Sequence, residues 1–126
     1  MTLRCLVVDD NRSFLDEAVA LLEREGLTVA GIASSVEEAL LRARELKPDV
    51  MLVDIMLGQE SGFELARRLA AADSGRPAVI LISTLSEADF RELIADAPVA
   101  GFVPKSELSA LAIGRLAGRD GGPNPA

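Results

Sequence analysis

Short apolar runs alternate along the chain with longer segments in which apolar residues recur every three or four positions. Runs of this length are typical of single strands, and the periodic segments are typical of amphipathic helices. Five such pairs predict a (βα)5 chain, an α/β domain whose parallel sheet is covered by helices on both faces. The predicted strands cover residues 3–8, 27–33, 50–55, 78–82 and 100–103.

Helix-capping and helix-breaking residues separate these elements. Ser35 and Glu38 have the spacing of a capping box at the start of the second helix. Ser106 is predicted to cap the last helix. Gly26 and Pro48 are expected to end the first and the second helix.

The length of 126 residues is that of one domain. The alternating pattern predicts an ordered domain over residues 1–117. Residues 118–126 are rich in Gly and Pro and lack periodicity, so we expect a disordered tail there. We favour a stand-alone domain over a piece cut from a longer protein, because residues 123–126 resemble a naturally frayed end.

The composition excludes several kinds of chemistry. The chain has no His and a single Cys, Cys5, which excludes His-based catalysis, His-ligated metals and an internal disulfide. A formal net charge of -7 and the absence of Trp and Tyr argue against direct binding to nucleic acid. Because the chain has neither a signal peptide nor a membrane-length apolar run, we expect a cytoplasmic protein that does not bind membranes.

Polar residues lie at the carboxyl ends of four of the five predicted strands. These ends meet at one edge of an open parallel sheet, which is where such sheets bind ligands. Taken singly, most of these residues also suit a helix N-terminus or a surface position. They are Asp9 and Asp10 after the first strand, Asp54 in the third, Ser83 and Thr84 after the fourth, and Lys105 after the fifth.

Asp54 interrupts an apolar run, where a carboxylate is costly unless it is paired or binds a metal. Three carboxylates in one pocket repel each other, and a divalent cation removes that repulsion. Oxygen ligands without His or Cys favour Mg²⁺, with Mn²⁺ next. A metal beside Lys105 and a hydroxyl group suits a phosphoryl group, for which a carboxylate can be the nucleophile. The residues therefore predict an aspartyl-phosphate site.

In type, order and strand position, these strand-end residues resemble those of the receiver domain of two-component response regulators, in particular the stand-alone, chemotaxis-regulator-like receivers. The similarity covers essentially residues 3–117. It implies a doubly wound, flavodoxin-like sheet with strand order 2-1-3-4-5. The residues that carry the resemblance are Asp9, Asp10, Asp54, Ser83 and Lys105, supported by Gly62 and Phe102.

The resemblance implies a phosphorylation site centred on Asp54, which accepts a phosphoryl group from a sensor histidine kinase or a phosphotransfer protein. It also implies that Asp10, Asp54 and the backbone carbonyl of Met56 bind Mg²⁺, and that Asp9 holds a water of the metal. Lys105 contacts a phosphoryl oxygen. Beyond its own phosphorylation and dephosphorylation, such a domain is not an enzyme.

The resemblance further implies a switch, in which Ser83 turns toward the phosphoryl group and Phe102 changes rotamer. The face formed by the fourth helix, the fifth strand and the fifth helix then signals to an output protein that the sequence does not identify. The resemblance also implies that the same face can form a homodimer. The positions that orient the hydrolytic water carry apolar Met56 and Leu85, which predicts a long-lived phosphorylated state.

The chain departs from the usual receiver pattern at four positions. Gly58 stands where many receivers have Pro, and Ser106 follows the lysine where Pro is common. The switch residue is Phe102 instead of Tyr, and Thr84 stands where a smaller residue is common. None of these differences removes a group that phosphoryl transfer needs.

Three other functions were weighed against this one. A Mg²⁺-dependent phosphatase with an Asp nucleophile after the first strand needs an Asp-x-Asp spacing, which residues 8–11 lack. A flavodoxin-like FMN carrier needs a phosphate loop rich in small residues, but residues 9–12 are polar and mostly charged. A receiver that has lost phosphorylation is disfavoured by the intact set of five residues.

Overall fold

Five apolar segments form one parallel sheet in the computed structural model, which describes residues 3–72 and 77–120 and side chains as far as residue 118. The strands are β1 (Arg4–Val8), β2 (Thr28–Ala33), β3 (Val50–Asp54), β4 (Ala78–Ser83) and β5 (Gly101–Pro104). Their order across the sheet is β2-β1-β3-β4-β5, and every neighbouring pair is parallel. The predicted α/β sheet of order 2-1-3-4-5 is therefore confirmed.

Helices cover both faces of this sheet. Helices α1 (Arg12–Arg24) and α5 (Ala110–Asp120) lie on one face, and α2 (Val36–Leu46), α3 (Gly62–Ala71) and α4 (Arg91–Asp96) lie on the other. Alternation along each strand gives each face its own core, so Val7 of β1 packs toward α1 and α5 while Leu6 and Val8 pack toward the other helices. The described helices include none with the length and apolarity of a membrane span.

The N-terminus of α2 is only partly the predicted capping box. The Ser35 side chain accepts a hydrogen bond from the Glu38 N–H, as expected. The Glu38 carboxylate, however, accepts from the backbone N–H of Ser34, one residue earlier than a capping box requires. Gly26 follows α1 with φ 98°, and Lys47 ends α2 with φ 48°, just before Pro48.

The start and the end of the last helix differ from the prediction. Residues Lys105–Glu107 form a 3-10 turn, so Ser106 does not cap α5. The helix begins at Ala110, and the Ser109 hydroxyl accepts from the N–H of Ala112 at 3.0 Å. Because α5 continues to Asp120, residues 118–120 are helical rather than part of the predicted disordered tail. Residues 121–126 of that tail lie outside the described residues.

Two segments near the carboxyl edge of the sheet are irregular. After β3, the two-residue strands Met56–Leu57 and Glu60–Ser61 form a small antiparallel hairpin that the sequence did not predict. Its turn contains Gly58 at φ 63°. Before α4, residues Glu87–Phe90 form a 3-10 turn, so the predicted fourth helix is α-helical only from Arg91.

Candidate functional site

Asp54 is the last residue of β3, and its side chain is buried in spite of its charge. The residue is 7% exposed, and its Oδ1 accepts a hydrogen bond from the N–H of Met56 at 3.2 Å. Helix α3 begins directly against this strand end, because a Cβ on Gly62 would lie 2.3 Å from the Asp54 carbonyl oxygen. Gly62 is the first residue of α3. The close packing around the strand end fixes the backbone that carries Asp54.

Asp9 and Asp10 follow β1 but differ in their exposure. Asp9 is fully buried, and its backbone N–H continues the strand pairing by donating to the Ala33 carbonyl at 3.0 Å. Its Oδ1 accepts from the N–H of Asn11 at 2.8 Å. Asp10 is exposed at the rim. One carboxylate oxygen from each of Asp9, Asp10 and Asp54 lies within 4.8 Å of the others, so the structure brings the predicted acidic cluster together.

Lys105 follows β5 and enters the same pocket. Its Nζ lies 2.6 Å from Asp9 Oδ2 and 3.1 Å from Asp54 Oδ2. The contact with Asp54 is an aligned hydrogen bond, whereas the contact with Asp9 is an ion pair without that alignment. Three carboxylates and one ammonium group carry a formal charge of -2. The pocket therefore retains an excess of negative charge.

The electrostatics follow from burial and this excess charge. The pKa of Asp54 is raised from 3.8 to about 6. Burial is the largest cause and the charge of Asp9 adds to it, while Lys105 and the Met56 N–H oppose the shift. Burial alone lowers the pKa of Lys105, but its contacts with Asp9 and Asp54 outweigh that effect and the net pKa is raised. Asp54 thus carries a charge that its surroundings only partly stabilise.

Ser83 and Phe102 lie outside the acidic cluster. The buried Ser83 hydroxyl accepts from the N–H of Leu85 at 3.0 Å, which is the ordinary strand-end role of such a residue. Phe102 lies on β5 and packs on the α4 side of the sheet, with Phe90 and Ile94. Of the two residues predicted to act as a switch, Ser83 therefore lies at the end of β4 and Phe102 lies on the face of the sheet that α4 covers.

The structure also reveals a neighbour of Lys105 that the strand-end residues did not predict. The Phe14 ring lies with its centroid 4.3 Å from the Lys105 Nζ. A signal for this contact existed, because Phe14 lies in the first turn of the helix that follows Asp9 and Asp10. Met56 and Leu85 also flank the pocket, with side chains 57% and 44% exposed.

The donor atoms of the cluster suit a hard divalent cation. All three side chains offer carboxylate oxygens, the sequence has no His, and its single Cys, Cys5, is buried within β1. Mg²⁺ prefers oxygen ligands and usually takes only one or two carboxylates from the protein. The residues present therefore fit such an ion.

A match to a protein-family model identifies the family of this chain. Residues 5–112 match the family model described as the response regulator receiver domain. The chain belongs to this family. The resemblance inferred from the strand-end residues is thereby confirmed. The receiver domain is the phosphoacceptor signalling module of two-component systems, where it interacts with histidine kinases or phosphotransfer proteins.

Individual relatives agree with this assignment. The chain is 41% identical over 112 residues to a protein-glutamate methylesterase/protein-glutamine glutaminase from Anaeromyxobacter dehalogenans, covering 88% of this chain and 31% of that protein. It is 36% identical to the response regulator GacA of Pseudomonas viridiflava, covering 82% of this chain and 48% of that protein. The receiver thus spans only about a third to a half of these curated relatives.

Solved receiver structures have the same fold. The signal receiver domain of the putative response regulator NarL from Mycobacterium tuberculosis superposes with a TM-score of 0.81 and 26% identity, covering 94% of this chain and 98% of that one. The signal receiver domain of a modulated diguanylate cyclase from Desulfovibrio desulfuricans gives a TM-score of 0.75 and 31% identity, covering 92% and 90%. The fold predicted from the alternating pattern is that of these domains.

Proposed function

We propose that Asp54 is the phosphoacceptor of this receiver and that a sensor histidine kinase or a phosphotransfer protein is its donor. The observation that carries the proposal is the environment of Asp54. It is a buried carboxylate that contacts Lys105 and has Asp9 and Asp10 within reach of a shared cation. A purely structural carboxylate at this position has no need of two further acidic neighbours.

The transfer is a displacement at phosphorus. An Asp54 oxygen forms the new bond to phosphorus while the bond from phosphorus to the donor imidazole nitrogen breaks. The electron pair of that bond leaves with the imidazole. With a pKa of about 6, Asp54 is mostly ionised at pH 7 and available as the nucleophile. Lys105 balances charge on a phosphoryl oxygen.

Asp10, Asp54 and the backbone carbonyl of Met56 would hold Mg²⁺, or Mn²⁺ in its place, and Asp9 would hold a water of the metal. The ion supplies positive charge that offsets the repulsion between the carboxylates and the phosphoryl group. The burial of Asp9 and the exposure of Asp10 support this division, because a rim carboxylate is free to bind an entering cation directly.

Ser83 and Phe102 would transmit the change. If the Ser83 hydroxyl turns toward a phosphoryl oxygen, it gives up its bond with the N–H of Leu85 and the following loop moves. Phe102 packs with residues of the α4 region and would follow that loop. The α4-β5-α5 face would then signal to an output protein, or pair with a second copy. We propose that the domain acts in the cytoplasm without direct nucleic-acid or membrane contact.

Intact-mass measurement tests the assignment of Asp54. Incubation with a small acyl phosphate and Mg²⁺ should add one alkali-labile phosphoryl group to the wild type. Asp54→Asn should take no label, whereas the control Asp96→Asn, an exposed carboxylate on α4, should be labelled like the wild type. Continued labelling of Asp54→Asn would refute the proposal. Steady turnover of a phosphomonoester would favour a phosphatase instead.

A further inference from the structure

Lys105 has an aromatic neighbour as well as two acidic ones. Its Nζ lies over the Phe14 ring, 4.3 Å from the centroid, while it contacts Asp9 and Asp54. An ammonium group within about 6 Å of a ring centroid is attracted by the negative face of the ring. Among the described residues, the two carboxylates are the only acidic groups that contact this Nζ. The ring is therefore its third neighbour.

The Phe14 ring is held in place independently of Lys105. The backbone N–H of Phe14 donates to the Asn11 side chain at 3.0 Å, which fixes the first turn of α1. The half-buried side chain packs against the core shared by α1 and α5. Because the helix start and the core position the ring, it can act as a fixed wall for a flexible lysine.

A surface cavity provides an alternative position for the Lys105 side chain. Phe14 and Lys105 both line a cavity of about 360 Å³, and so does the carboxylate residue Glu17. Solvent in this open cavity and the Glu17 carboxylate compete with Asp9 and Asp54 for the Lys105 ammonium group. An aromatic ring against the ammonium favours the pocket, because an aliphatic side chain of similar size lacks the attraction of the ring face.

We propose that Phe14 is a positioning residue that keeps Lys105 in the phosphorylation pocket, which rests on the proposed role of Asp54. In the transfer, an Asp54 oxygen bonds to phosphorus while the bond from phosphorus to the leaving atom breaks, and its electron pair leaves with that atom. Lys105 meets the negative charge of the phosphoryl oxygens only if its Nζ is in the pocket. Phe14 contacts Lys105 and acts through it.

The contact itself can be tested without any phosphorylation. The sequence contains two lysines, Lys47 and Lys105, so selective ¹³C labelling of lysine gives two sets of Cε signals. The ring current of Phe14 should move the Lys105 Hε signals upfield in the wild type. Phe14→Tyr should keep this shift and Phe14→Leu should lose it, while the Lys47 signals stay unchanged in all three proteins.

The positioning role is tested by the rate of labelling with an acyl phosphate in Mg²⁺ buffer. Phe14→Leu should lower the maximal rate about 3- to 10-fold, the range expected for a cation–π contact at a partly buried site. The donor concentration for half-maximal rate should change less than about twofold, because the donor does not touch Phe14. Phe14→Tyr should keep the wild-type rate. Leu21→Ala, which truncates another half-buried residue of α1 in the same core, is the packing control and should also keep it.

Each outcome separates this proposal from the proposed function. Unshifted Lys105 signals in the wild type, or a wild-type rate in Phe14→Leu, would overturn the role of Phe14 while Asp54 remains the phosphoacceptor. An equal loss of rate in Leu21→Ala would also overturn it, because packing alone would then explain the effect. If the wild type takes no label although the Lys105 signals are shifted, the proposed function fails and the positioning role fails with it.

Discussion

The two sides of the acidic pocket are built differently. On the β1 side, α1 has 13 residues, three of them buried, and the Asn11 side chain caps its start. On the β4 and β5 side, residues 87–96 form a 3-10 turn and the six-residue α4, and neither contains a buried residue. Leu93 of α4 is 56% exposed.

Under the proposed function, this difference places the carboxylates of the phosphorylation site on the well-packed side and the structural response on the loosely packed side. Segments with few buried contacts open and shift at low free-energy cost, whereas well-packed helices do not. The carboxylates of Asp9 and Asp10 sit beside the well-packed α1 and keep their geometry. Ser83 and Phe102 lie next to the loosely packed α4, where a small local change can be passed on as movement. Under the proposed function, a rigid binding half and a more easily deformed signalling half would share one sheet edge.

The largest expected effect is on stability and compares the two sides directly. Leu22→Ala on α1 removes a fully buried side chain and should lower the free energy of unfolding by about 2–5 kcal/mol. Leu93→Ala on α4 removes an exposed side chain and should change it by less than about 0.5 kcal/mol. Urea unfolding followed by circular dichroism measures both variants. Similar losses in the two would contradict the described contrast.

A smaller effect concerns the charge of Asp54 in metal-free buffer. Its pKa is raised by folding, so the native state holds the proton more tightly than the unfolded chain does. Wild-type stability should therefore fall as the pH rises from about 4 to about 6, and stay low above that range. Asp54→Asn should be more stable than the wild type by about 1–3 kcal/mol at pH 8 and not at pH 4.

Thermal melts in a chelator-containing buffer at the two pH values check this prediction. Asp10→Asn should also raise the melting temperature, because it removes a repelling charge. Mg²⁺ should raise the melting temperature of the wild type and have little effect on Asp54→Asn. A lower melting temperature of either variant at pH 8 without metal would show that the acidic cluster does not destabilise the folded state.

The lifetime of the phosphorylated state tests two residues, one after β3 and one after β4. Met56 and Leu85 are exposed and apolar, and neither can hydrogen-bond an attacking water. Met56→Glu and Leu85→Gln should each speed the loss of the phosphoryl group, by about tenfold, since water-orienting groups give larger effects only when water is well excluded. The measurement is the decay of labelled protein in Mg²⁺ buffer after the donor is removed. Wild-type decay within seconds, or no acceleration in either variant, is the opposing result.

The smallest expected effect is the local change on phosphorylation. Hydrogen exchange with and without a phosphoryl mimic should change most in residues 84–108, by less than about 1 kcal/mol in local opening free energy. Amides of α1 and α2 should change little. A change confined to those two helices would place the response on the wrong side of the pocket.

The strands could be predicted closely because their apolar runs are continuous and end at polar residues. The 3-10 turn and the late start of α4 could not be predicted. Phe90, Leu93 and Ile94 have helical spacing, but only Phe90 and Ile94 are half-buried. The last helix starts at Ala110 because Ser109, and not Ser106, caps it. Both positions carry a serine, so the local sequence was compatible with either start. Local sequence patterns did not predict where α4 and α5 begin, because tertiary packing determines these helix starts.

The residues of the pocket could be predicted from strand ends, but their contacts could not. That Lys105 contacts both Asp9 and Asp54 depends on the register of β5 against β4, which places Lys105 directly after the paired strand ends. The contact with Phe14 depends on the approach of α1 to the end of β5. Both are tertiary distances between residues far apart in the chain, for which periodicity and spacing carry no information.

The turn at Gly58 has a consequence for engineering this domain by family consensus. Many receivers have Pro at this position, so a consensus design would replace Gly58 with Pro. Proline holds φ near -65°, whereas the backbone here has φ 63°, so that replacement would force the hairpin beside Asp54 to refold. Asn tolerates this conformation far better, and unfolding curves of Gly58→Pro and Gly58→Asn should separate the two. Proline is thus the wrong choice for this backbone.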